Sequence, residues 1–73
     1  MSENIGSQGP RHPEIEVQLS GEDGNALFII GRIRAALRRA GVSPEEVQEF
    51  SREAMSGDYD NVLQTAMRWV DVA

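Results

Sequence analysis

Apolar and polar positions alternate strictly through residues 14–20, with Ile15, Val17 and Leu19 on one side and Glu14, Glu16, Gln18 and Ser20 on the other. A period of two marks a strand with one buried face. From residue 26 the period lengthens. Ala26, Ile30, Ile33, Leu37 and Ala40 recur at spacings of four and three, with Ile29 and Ala36 beside them, which is the apolar stripe of a helix. A second stripe follows in Val47, Phe50 and Ala54, flanked by Met55, and a third in Tyr59, Val62, Leu63, Ala66, Met67 and Val70. Residues 69–72, Trp-Val-Asp-Val, return to alternation with Val70 and Val72 on one face. A lone strand leaves its backbone groups unpaired, so this segment is the internal partner for the first strand; the alternative is the same strand of a second copy. The pattern predicts a small single α+β domain, β-α-α-α-β, over residues 14–73, with an N-terminal strand, three helices and a short C-terminal strand.

The residues between the stripes fix their ends. Gly21-Glu22-Asp23-Gly24-Asn25 reads as a turn with Asp23 or Asn25 capping the first helix. Its acids invite a calcium reading, but position twelve counted from Asp23 is Arg34, where a calcium loop needs a bidentate glutamate. Gly41 suits the left-handed turn that closes a helix. Ser43-Pro44-Glu45-Glu46 combines a Ser-x-x-Glu capping box with proline at the first helical position. Ser56-Gly57 ends the second helix and Asp58 caps the third; the acids around Tyr59 have an ordinary explanation in the helix dipole. Residues 1–13 hold a single aliphatic side chain, Ile5, among Ser, Asn, Gln, Gly and Pro. They are expected to form a disordered tail, and His12, the only histidine, is expected to be solvated within it.

At 73 residues the chain buries only about 60% of the surface its unfolded form exposes. With no cysteine, neither a disulfide nor a thiolate metal site can reinforce it. No apolar run approaches the roughly 20 residues of a membrane span, and no signal-peptide pattern precedes the first strand, so a cytoplasmic location is expected. Charge changes the picture when read by segment. The chain is acidic overall, at −5, yet residues 26–42 carry Arg32, Arg34, Arg38 and Arg39 and no acid. All seven basic residues are arginine, whose planar fork suits bidentate contact with carboxylate or phosphate.

The first helix therefore has a second side worth attention. At about 100° per residue, Phe28, Gly31 and Ala35 align opposite the apolar stripe, flanked by Arg32, Arg38 and Arg39. Glycine within a helix costs about 1 kcal/mol relative to alanine, so Gly31 implies that something approaches closely. Packing on both sides within one domain is the commoner reason for a small residue there; docking of a partner is the other. Phe28, Gly31, Arg32, Ala35, Arg38 and Arg39 are the predicted partner-binding residues, since an aromatic and guanidinium rim is typical of interface hot spots.

The Ala36 to Phe50 stretch resembles the helix-turn-helix of the repressor class, but its second helix would present Glu45, Glu46, Gln48, Glu49 and Glu53 to phosphate oxygens. The first helix is also long for that motif. More broadly, Gly-Glu-Asp-Gly-Asn-Ala, Arg-Arg-Ala-Gly-Val-Ser and Ser-Gly-Asp-Tyr-Asp, within residues 15–72, resemble a group of short uncharacterised bacterial proteins of unknown function, some associated with mobile elements. The resemblance implies a shared small fold and carries no functional residues. The predicted strand and helices hold no histidine, cysteine, lysine or Gly-rich phosphate loop, so catalysis, cofactors and a metal site are not expected. The sequence points to a protein-interaction or regulatory module, self-associating as a homodimer or binding a protein partner, with no membrane contact. The alternative is a nucleic-acid-binding accessory protein that uses the arginine-rich helix, against which the net charge stands.

Overall fold

The computed structural model describes residues 9–19 and 25–73. The order is β1 (His12–Val17), α1 (Ala26–Arg39), α2 (Pro44–Ala54), α3 (Tyr59–Trp69) and β2 (Val70–Val72): a small α+β domain of three helices and two strands, as the hydrophobic pattern predicts. β1 and β2 form a parallel two-stranded sheet that joins the two ends of the described chain. The register pairs His12 with Val70, Glu16 with Asp71 and Val17 with Val72. An irregularity separates His12 from Glu16, and Pro13, which has no N–H for a ladder, lies within it. Backbone bonds from Arg11 N to Arg68 O at 2.8 Å and from Ala73 N to Val17 O at 3.0 Å extend the pairing beyond both ends.

β1 differs from its predicted span. It starts at His12, inside the stretch expected to be a tail, and stops at Val17. The alternation placed the buried Ile15 and Val17 correctly, but a partner strand, not periodicity, decides where pairing starts. The tail expectation for residues 1–8, the capping role of Asp23 and part of the calcium-like loop lie outside the described residues.

Local signals account for the helix ends. The Asn25 side chain accepts from Leu27 N at 2.9 Å. Gly41 closes α1 at φ 89°, with Gly41 N bonded to Arg38 O and Val42 N to Leu37 O, both at 3.0 Å. This is the Schellman arrangement, and the half-buried Val42 packs on the core beside it. Ser43 Oγ accepts from Glu46 N at 3.2 Å, and Asp58 accepts from Asn61 N at 3.0 Å. Asn61 also donates its amide to Glu53 O at 2.8 Å and Ala54 O at 3.3 Å, capping α2 from α3. A Cβ on Gly57 would come within 2.9 Å of Asn61 Cβ, so glycine at 57 gives this amide its room.

The core lies between the sheet and the helices. Ile29, Ile33 and Leu37 of α1 meet Val47 and Phe50 of α2, Val62 and Trp69 of α3, and Ile15, Val17 and Val70 of the strands. α3 ends one residue before the predicted stripe does: Val70 already belongs to β2, where it is buried in the same core.

Candidate functional site

α1 buries one side only. Ile29, Ile30, Ile33 and Leu37 face inward, whereas Phe28, Gly31, Arg32, Ala35, Arg38 and Arg39 are all exposed. Phe28 remains 48% exposed, and a Cβ built on Gly31 meets nothing within 4 Å. No neighbouring element of the described chain therefore accounts for the glycine, and a helix packed on both sides is not what forms. The Arg32 guanidinium stands over the Phe28 ring at 5.8 Å from its centroid, within cation–π range.

The four α1 arginines fall on two flanks of this small-residue ridge. Arg32 and Arg39 line a cleft against β1, with Glu16, Val17, Gln18, Ala35 and Ala36 completing a volume of about 270 Å³. Arg34 and Arg38 line another against α2, with Pro44, Val47, Gln48 and Ser51, of about 310 Å³. Among the described residues none of these four arginines forms an ion pair. A structural role as counter-charges for the α2 glutamates would require such pairs. Instead two of those glutamates, Glu46 and Glu49, pair with Arg11.

A second constellation was not anticipated in the sequence. Arg11 lies over the Trp69 ring at 4.0 Å from the centroid and reaches Glu46 Oε2 at 3.4 Å and Glu49 Oε1 at 3.7 Å. His12, expected in the tail, sits half-buried in β1 with Nε2 3.2 Å from Glu46 Oε2 and Nδ1 3.6 Å from Glu14 Oε2. Trp69 Nε1 donates to Glu53 Oε1 at 2.9 Å, and the Phe50 ring meets the indole edge-on at 5.6 Å. Glu46 thus turns its carboxylate to the strand, and the return bond expected from the capping box is not formed. The lone tryptophan was the available signal: a buried indole N–H needs an acceptor. Nothing local in Arg11-His12-Pro13 indicated that those residues would cover it. The group ties β1 to α2 and α3. No set of three His, Cys, Asp or Glu that could hold a metal ion occurs among the described residues.

Among the described residues, four further large apolar side chains are exposed, Met67 on α3 and a group of three. Leu27 and Met55 are mostly open, and Tyr59 is partly so, around a shallow cleft also lined by Ile30 and Val62. No helix of the described residues is long and apolar enough to cross a membrane. No family model matches the chain, and searches of curated proteins and of solved structures find no match.

Proposed function

We propose that this protein is a non-catalytic, cytoplasmic interaction module that docks an acidic helical segment of a protein partner on the outer side of α1. The reading is carried by one observation: among the described residues, Gly31 and Ala35 form an exposed ridge whose glycine has no close neighbour to explain it, flanked by arginines without ion pairs. Small residues let a second helix approach closely, and guanidinium forks on both flanks select carboxylates.

Charge narrows the form that self-association can take. α1 contains no acid, so two copies meeting α1 to α1 would set eight guanidinium groups together with no carboxylate from either helix. A second copy is a suitable partner only through its acidic side, for example the exposed part of α2. Nucleic acid is the competing ligand for the same arginines. It is disfavoured by the net charge of −5 and by the glutamates that dominate α2, which slow approach to a polyanion. The resemblance to short bacterial proteins brings no activity with it and leaves this reading unchanged.

The test uses an isotope-labelled full chain and a synthetic helical peptide of about five turns, with alanines along one face and glutamates on both sides of them. Phe28, Gly31 and Ala35 are expected to shift on titration, and Gly31→Leu to abolish the effect by blocking close approach. A peptide with lysine in place of glutamate should produce no shift. Equal response to both peptides, or to neither, contradicts the reading. Duplex DNA binding that weakens steeply with salt would favour the nucleic-acid alternative.

A further inference from the structure

We propose that the cleft between α1 and α2 is an oxyanion site in which Arg34 and Arg38 hold a carboxylate or phosphate group. The cleft is one flank of the docking ridge and shares Arg34 and Arg38 with it, but the anion site does not depend on a helix docking at Gly31. Its starting point is Arg34, whose Nε–H is buried and has no hydrogen-bond partner among the described residues. A buried donor without an acceptor carries the whole desolvation cost of an unmade bond. Arginine cannot relieve that cost by giving up its proton.

The surroundings of Arg34 suit an anion. Arg38 lies one turn further along α1 and lines the same cleft, so the two guanidinium groups share a flank of the helix. No carboxylate lines the cleft, and neither arginine forms an ion pair among the described residues. Val47 and Pro44 supply apolar walls, which strengthen a charge-assisted bond by lowering the local dielectric. Gln48 adds an amide at the rim. Ser51 does not compete as a donor, because its hydroxyl is given to Val47 O at 3.3 Å. The volume of about 310 Å³ leaves room for a small anion or one acidic side chain.

The bidentate geometry of the guanidinium makes Nε part of the recognising fork. Once a rotation of the Arg34 side chain uncovers Nε to the cleft, an oxyanion seated there completes the orphaned donor and offsets the paired charges at once, whereas a water molecule would do only the first. That difference is measurable. The Nε–Hε signals of Arg34 and Arg38 are followed by NMR in the full-length labelled chain during separate titrations with inorganic phosphate and with glutarate, at ionic strength held constant with chloride. The Arg34 signal is expected to move saturably while Arg52 and Arg68 stay in place. Saturation with phosphate alone identifies a phosphoryl ligand, saturation with glutarate alone a carboxylate, and saturation with both the shared oxyanion chemistry.

Arg34→Lys keeps the charge and removes the fork, and is expected to weaken binding about tenfold or more. Arg38→Gln, at an exposed position, should weaken it without disturbing the fold. Gly31→Leu should leave the anion titration unchanged, which separates failure of this site from failure of the docking ridge. An Arg34 signal that responds to phosphate and glutarate no more than to chloride would overturn the proposal and assign the Nε–H to water.

Discussion

Trp69 and Asn61 show how single side chains hold this small domain together. The indole is nearly fully buried, with Phe50 at its edge, Arg11 on its face and Glu53 on its N–H. Asn61 satisfies two carbonyls at the end of α2 from the first turn of α3. Asn61→Ala is expected to lower unfolding free energy by about 1–2 kcal/mol, read from urea denaturation. Gly31→Ala should act in the opposite sense, raising it by up to about 1 kcal/mol, because the added methyl enters open space and the helix loses a flexible residue. Capping residues were legible in the sequence because their chemistry is completed within three or four positions, as with Ser43 and Asp58. Arg11 and His12 were not legible. Their partners Glu46 and Trp69 lie 34 to 58 positions away, and a segment judged by its own low hydrophobicity gives no sign that a distant ring will receive it.

At the scale of elements, β1 is a strand with a single partner among the described residues, β2. Its outward positions hold Glu14 and Glu16, both exposed. Two copies of β1 paired antiparallel with Ile15 opposite either Ile15 or Val17 set glutamates opposite one another, and like charges in that position repel. The same alternation that announced the strand thus also guards its open edge, and it disfavours the second-copy pairing considered from sequence. The double substitution Glu14→Val with Glu16→Val is expected to convert the chain into a self-associating species in sedimentation velocity at micromolar concentration. An unchanged sedimentation coefficient would show that the edge is covered by other means. The helices were the most legible elements, since each presents a single apolar stripe. The start of β1 and the parallel sense of its pairing were not, because both depend on where the third helix delivers β2.

Across the whole molecule, the sheet closes the chain on itself: β1 opens the fold and β2 ends it, with Ile15, Val17 and Val70 entering one core with the helices. Removing residues 70–73 should therefore abolish cooperative thermal unfolding by circular dichroism, as the loss leaves the β1 backbone unpaired and opens the core beside Trp69. The same closure leaves α1 with an outer side that no other described element covers, on which the basic charge of an acidic protein is concentrated. The most direct measurement places a photo-crosslinking residue at Ala35, with a control at the exposed Gln64 of α3, in the full chain expressed in cells. The account predicts a crosslink from position 35 to a protein segment rich in acidic residues, lost in Gly31→Leu and absent from position 64. Identical products from both positions, or crosslinks from position 35 to nucleic acid alone, would contradict it.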